Sequence, residues 1–566
     1  MKKSLRRLSI AVTVLALLGL MLFAGSLSAS AESGNLTATM TWKLENGTLT
    51  IQGTGDMPNY EYSSQVPWYS LNSTVTKVVI SSGVTSVGNY AFYFCDKLTS
   101  VSIPAGVKRI GDRAFRYCSK LTAISIPDSV TSIGEEAFYG CDDLETISFG
   151  SGVKTIGKNA FNSCYARASI TVSGSNATYL GKGNCLIEKA TGKLVLGSNK
   201  SVIPTDGSVK SIAADAFRDC NQLTSITIPS GVTSVGDYAF YFCYKMTSVS
   251  FPDSVKSIGS YVFAACDLLT TIMVSSNNPS YLSSGNYLIE KSTGKLVSGC
   301  RTSKIPNDGS VKSIGDGAFC NINYLPSVTI PASVTSIGTD AFKYCYDLTI
   351  LSIPGSVKTI GEDAFRGCFD LSTLTLNEGI TTIHNGAFAS CYDLTDVVIP
   401  DSVKTLDESA FFSCSGLKSV TVGSGLKSIP PYAFEGCKSL TSITIPTGIT
   451  TVGASAFAEC AALTRAVYNG TAAQWKQKVT VERNNDALLA ALRYSDTPIL
   501  KGDLTWDGKI NAADRTYLAR ALAGWTGYAL DSAAIKAGDL NGDGKVNTAD
   551  RTYLARALAS WNGYEV

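Results

Sequence analysis

The chain has 566 residues, 45% hydrophobic and 17% charged, which makes it globular rather than disordered and leaves room for several domains. Lysine and arginine total 48 against 46 for aspartate and glutamate. With no block of like charge past the N-terminus, nothing argues for nucleic acid or an anionic membrane surface as partner.

Residues 1–31 combine a basic start (Lys2, Lys3, Arg6, Arg7), an apolar run from Leu8 to Ala24 and Ala29-Ser30-Ala31. That is the pattern of a secretory signal peptide cleaved after Ala31. No later stretch is apolar enough to span a bilayer and no wall-sorting signal follows, so no membrane insertion is expected after cleavage. Residues 32–69 alternate around Asn46-Gly47, with Trp42 and Leu44 before the turn and Leu49 and Ile51 after it. This predicts a β-hairpin that, with Trp68, covers the open end of whatever follows.

An Ala-Phe or Val-Phe pair then recurs 14 times, from Phe92 to Phe457, every 23 residues except at two steps of 56. A fixed period in the twenties marks a solenoid in which each copy is one coil. In the coil around Phe342, Leu348, Leu351 and Ile353 space as a strand with alternate side chains inward, and Pro354 stops it. Val357, Ile360 and Phe342 close the coil from the other side, so stacking buries an apolar column. Short strands of successive coils should pair into one parallel sheet. Over about residues 66–468 the signature IPxxVxxIGxxAFxxC closely resembles the BspA-like, or treponemal, type of bacterial surface leucine-rich repeat. The expected fold is α/β: a leucine-rich-repeat solenoid of 23-residue coils over 70–468, with caps at 32–69 and 469–497. Trp475, Val479, Val481, Leu488 and Leu492 are the apolar residues of the second cap.

Of 16 cysteines, 13 stand three residues after the repeat phenylalanine, from Cys95 to Cys460. Position explains them better than chemistry: a small buried thiol fills each coil, and parallel side chains do not converge on a metal. Cys185, Cys300 and Cys320 lie off this ladder, and a Cys185–Cys300 disulfide stays open. The two long steps hold similar insertions, near 173–206 and 275–308. Each carries Leu-Ile-Glu-Lys and Thr-Gly-Lys-Leu-Val and reads as a hairpin standing off one face.

From Lys501 the period becomes 36. DLNGDGKVNTAD places Asp539, Asn541, Asp543, Asn547 and Asp550 at positions 1, 3, 5, 9 and 12 of a calcium loop, with the Lys545 carbonyl at 7 and Gly544 at 6. DLTWDGKINAAD offers Asp503, Thr505, Asp507, the Lys509 carbonyl, Asn511 and Asp514. The Thr505 hydroxyl is a poorer ligand, so this site should be weaker. Each loop leads into an identical DRTYLARALA with Leu518, Leu522 and Trp525, or Leu554, Leu558 and Trp561, on one face.

Residues 498–566 resemble a type I dockerin, a small all-α module that binds two Ca²⁺ ions and plugs secreted proteins into a cohesin of a cellulosome scaffoldin. The resemblance implies cohesin contacts at Ala512, Ala513, Ala519 and Arg520 in one half and Thr548, Ala549, Ala555 and Arg556 in the other. It also implies a secreted protein held on a scaffold or cell surface.

No catalytic residue is expected. Glycoside hydrolysis needs two carboxylates fixed across a cleft, whereas Glu135, Glu136, Glu362, Asp363, Asp407 and Glu408 lie in solvated loops. The only histidine, His384, replaces a turn glycine and has no recurring partner. A binding or adhesion module is the reading, ahead of an architectural spacer or a polysaccharide hydrolase. Outward strand positions are mostly Ser and Thr, which simply favour strands. The sharper candidate ligand face is Tyr346, Phe369 and Tyr392, one per consecutive coil at strand spacing of ~4.8 Å, a row for sugar rings or a protein hot spot.

Overall fold

The computed structural model describes residues 31–283, 285–496, 501–504, 510–523 and 537–559. The signal peptide expectation falls outside them, as do Thr505, Asp507, Lys509, Trp525 and Trp561. Two units are distinguished, one of residues up to 191 with 197–201, the other of 192–196 and 202 onward.

The first unit opens with the expected hairpin. Met40–Glu45 pairs antiparallel with Thr48–Gly53. Asn46 and Gly47 both have positive φ (49° and 74°), the backbone a tight hairpin turn requires. An unforeseen strand, Glu32–Thr37, which no apolar alternation marks, adds to the outer edge. Thr48–Gly53 also pairs parallel with Lys77–Ile80, so the cap starts the repeat sheet itself. Trp68 is fully buried, edge-on to Trp42 at 5.6 Å and stacked on Phe92 at 5.9 Å. Its Nε1 donates to the Ala91 carbonyl at 2.9 Å.

Each coil builds two parallel sheets where one was expected. In the wider one Thr146–Phe149 lies between Ala123–Ile126 and Ser169–Val172. In the narrower one Ser132–Ile133 lies between Arg109–Ile110 and Thr155–Ile156. The Val-x-x-Ile segment is extended for two residues, enough to bond the coils on both sides. The phenylalanine turn adds a third ladder rather than a helix: Arg113, Phe115 and Tyr117 donate their amides to Glu135, Ala137 and Tyr139.

The second unit repeats this plan. Ile350–Ile353 pairs with Ser327–Thr329 and Thr373–Leu376, and Thr359–Ile360 with Ser336–Ile337 and Thr382–Ile383. Leu348, Leu351, Ile353, Val357 and Ile360 are all fully buried, as the coil pattern demands. Each such side chain stabilises the stack by roughly 1.5–3 kcal/mol. Phe342 stacks on Phe319 at 4.8 Å and on Phe365 at 5.0 Å.

The 275–308 insertion does not stand off. Tyr281–Ser283, Leu288–Glu290 and Lys295–Ser298 form an antiparallel meander whose last strand pairs parallel with Ser313–Ile314. Tyr287, Ile289 and Leu296 join the core. Asn278, fully buried, ties the insertion down. Its Nδ2 donates to the Pro252 and Val255 carbonyls, its Oδ1 accepts from Ser280 and Tyr281, and Lys291 Nζ donates to its carbonyl at 2.6 Å. In the first unit Asn176 makes the equivalent bonds to Gly150, Val153, Thr178 and Tyr179, and Tyr179–Lys182 pairs antiparallel with Cys185–Glu188.

At the far end Thr480–Val481 extends the narrower sheet and Leu492–Tyr494 the wider one. Ahead of both in the chain, the helix Ala472–Lys478, capped by Thr471, buries Trp475 edge-on to Tyr468 at 5.0 Å. All 16 cysteines are buried free thiols, Cys185 and Cys300 included, so the disulfide left open is not formed. Cys185 donates to Gly183 and Cys300 to Asn286, each within its own insertion.

Candidate functional site

The C-terminal module repeats one local geometry 36 residues apart. Asn511 caps the helix Ala512–Leu522 through its Oδ1, which accepts from Ala513 at 2.7 Å, and Asp514 Oδ2 accepts from the Asn511 amide at 2.8 Å. Asn547 and Asp550 do the same for Thr548–Leu558, at 2.8 and 2.9 Å. Asp514 and Asp550 are fully buried; Asp550 Oδ1 also accepts from Leu540 at 2.9 Å. Leu504, Leu518, Leu540 and Leu554 form the small core. Leu522 and Leu558 pack against it, the face expected from their spacing.

In the second loop the Asp539 oxygens accept from Gly542 (2.8 Å) and Gly544 (3.0 Å), Asn541 Oδ1 from Asp543, and Asp543 Oδ1 from Lys545. Gly542 and Gly544 sit at φ 77° and 80° with open space beside them, which is what lets the loop double back. Among the described residues no three His, Cys, Asp or Glu groups converge tightly enough to hold an ion alone, and the Asp539 and Asp543 carboxylates accept from the loop's own amides. The donor set still fits a hard cation. Asp539, Asn541, Asp543, the Lys545 carbonyl and Asp550 supply oxygen only, and position 9, here the capping Asn547, commonly acts through water. Of the first loop, Asp503, Asn511 and Asp514 lie within the described residues.

Around the helices, Ala512, Ala513, Thr548 and Ala549 are exposed on the first turns, while Ala519, Arg520, Ala555 and Arg556 are half-buried. On the repeats, Tyr346, Phe369 and Tyr392 come together as a stack, with centroids 4.7 and 4.8 Å apart and planes within 21°. Both faces of Phe369 are covered by its neighbours, while Tyr346 and Tyr392 each give one face to the stack and Tyr392 is 43% exposed.

Family models place these features among known proteins. The model described as BspA type leucine rich repeat region (6 copies) matches residues 69–184, 197–292, 290–418 and 381–479, and the dockerin type I domain model matches 501–559. The chain belongs to the BspA-type leucine-rich repeat family. Solved structures similar to this BspA-type chain include a leucine-rich repeat protein from Eubacterium ventriosum, 26% identical over 76% of this chain and 95% of its own, with a TM-score of 0.43. A leucine-rich cell surface protein from Faecalibacterium prausnitzii is 26% identical over 80% and 99%, TM-score 0.38. One from Bacteroides ovatus is 19% identical over 79% and 98%, TM-score 0.32. No curated protein matches.

Neither family is an enzymatic one. Dockerin type I domains bind calcium and imply a cohesin as partner. In this BspA-type protein, acids expected to be solvated are partly buried in ion pairs between coils: Glu136 bonds Arg113 and Arg116, and Asp363 bonds Lys343 at 2.8 Å. His384 does have a partner, Asp407 Oδ2 at 2.7 Å one coil on, a contact two sequence positions 23 apart could have suggested. The pair is half exposed and joins two coils.

Proposed function

We propose that this is an exported, non-catalytic binding protein, held on a cohesin-bearing scaffold by its dockerin and displaying its repeat surface to a ligand. The observation that carries the reading is the twofold calcium loop and capped helix following a BspA-type solenoid. In this reading residues 1–31 are removed, 32–69 and 469–497 cap the solenoid of 70–468, and 498–566 dock. One Ca²⁺ is held by Asp503, Thr505, Asp507, Lys509, Asn511 and Asp514, the other by Asp539, Asn541, Asp543, Lys545, Asn547 and Asp550. Cohesin contacts come from Ala512, Ala513, Ala519 and Arg520 or from Thr548, Ala549, Ala555 and Arg556.

Capture of the full chain by recombinant type I cohesins tests the attachment. Binding in calcium, lost in chelator and in the Asp503→Ala plus Asp539→Ala variant, is expected; capture that survives chelation would sink the reading. The Tyr346–Phe369–Tyr392 row is the ligand face. Its ring edges, hydroxyls and end ring suit either a glycan or a protein contact. Co-sedimentation with insoluble plant cell wall, compared with Tyr346→Ala plus Tyr392→Ala, separates a glycan ligand from a protein one.

A further inference from the structure

The three consecutive coils that carry Tyr346, Phe369 and Tyr392 also place an aspartate directly after each ring: Asp347, Asp370 and Asp393. Residues 346–352, 369–375 and 392–398, the ring row and the strands of the wider sheet that follow it, hold four aspartates and no lysine, arginine or histidine. The fourth is Asp396. Ser419 Oγ donates to its Oδ1, while its Oδ2, shielded from solvent, meets no donor among the described residues. Three bases of these coils are engaged elsewhere: Lys343 with Asp340 and Asp363, Arg366 with Asp363, and Lys358 with the Gly355 and Gly379 carbonyls. Two apolar side chains of the same band are turned to solvent, Ile350 at 58% exposure and Val398 at 62%.

Carboxylates gathered in a band without bases build a negative potential that a cation relieves, and an aromatic ring attracts the same cation through its quadrupole. A guanidinium satisfies both at once, since it stacks on a ring and takes a neighbouring carboxylate in bidentate fashion. The exposed aliphatic side chains favour a protein over a glycan, because they offer sugar hydroxyls no hydrogen-bond partner. Resting on the ligand-face reading above, we propose that this band takes a segment of a partner protein that carries arginine and lysine beside apolar residues. Asp370 and Asp393, exposed on adjacent coils, receive the bases, and Tyr392, the exposed end of the ring row, stacks on a guanidinium. Ile350 and Val398 then meet the apolar side chains of the same segment.

Binding of the full chain to an immobilised oligoarginine peptide, with oligoglutamine as the blank, tests this. Asp370→Asn plus Asp393→Asn and, separately, Tyr392→Ala should each weaken binding about tenfold. Glu362→Gln plus Glu408→Gln removes the same charge from exposed loops of the same stack and should bind as the parent does. Unchanged melting by circular dichroism shows that the variants are folded. Equal loss in the two charge variants, or parental affinity in either Asp370→Asn plus Asp393→Asn or Tyr392→Ala, overturns the proposal. A chain that ignores oligoarginine but co-sediments with insoluble plant cell wall, and loses that in Tyr346→Ala plus Tyr392→Ala, overturns it while the ligand face stands. Binding to neither overturns the ligand face as well.

Discussion

The thiol of Cys345 donates to the main-chain carbonyl of Phe319, 3.1 Å away and 26 residues back. The separation is one coil plus the three-residue step from phenylalanine to cysteine. The same bond joins Cys118 to Phe92, Cys243 to Phe217 and Cys437 to Phe411. The Cys345 thiol fills its coil and adds a second bond to the Phe319 carbonyl, which also accepts from the Ile322 amide at 3.2 Å. Cys345→Ala should therefore cost about 1–3 kcal/mol, and Cys345→Ser, which keeps a donor, less. Urea denaturation followed by circular dichroism measures both, and an alanine variant as stable as the parent would contradict the role.

Burial pushes the thiols of Cys118, Cys243, Cys345 and Cys437 well above their ordinary range, and those of Cys368 and Cys460 up to about 12. An unfolded thiol titrates near ~8.5. Below that value both states are protonated and the stability is fully present. Above it the unfolded chain gives up protons that the folded chain keeps, so stability falls as pH rises toward the folded value. The loss is roughly 1.4 kcal/mol per pH unit for each such thiol. Melting temperature should drop steeply in alkali, and a thiol reagent should label these cysteines only after denaturation. Rapid labelling of the native ladder would refute their seclusion.

Asn278 makes four side-chain hydrogen bonds from a site without solvent, so Asn278→Ala leaves two carbonyls and two amides to find other partners. A loss on the order of 3 kcal/mol follows from the cost of unpaired buried groups. Because repeats contact mainly their neighbours, hydrogen exchange should accelerate across the 275–308 insertion and leave distant coils protected. Uniform acceleration would show that the insertion is not a local unit.

For the second calcium loop, calorimetric titration of the full chain should show two binding events, with the Asp539→Ala variant retaining one. Chelation should reduce helical signal, since the loop that ends on Asp550 also caps the helix that follows. Two intact binding events in Asp539→Ala would remove that residue from the ligand set.

Much of the molecule is written in its local pattern. The 23-residue period, the inward Leu348, Leu351 and Ile353, the Trp68 and Trp475 ends and the spacing of Asp539 to Asp550 all follow from repetition, which places like residues at like positions. The narrower sheet was harder to see, because a two-residue strand carries too little alternation to be distinguished from a turn. The insertion reads in sequence as a stand-off hairpin because its apolar runs do not reveal which strand they will join.

By itself, then, the sequence determined the coil, its repetition and the spacing of polar residues from Asp539 to Asp550, since each depends on neighbours along the chain. Tertiary structure alone decided the acceptor of each thiol, the four partners of Asn278 and the face-to-face stacking that covers both sides of Phe369. The physical reason is direction: spacing says which residues share a face, but only close packing says where each side chain points and whose atoms it meets.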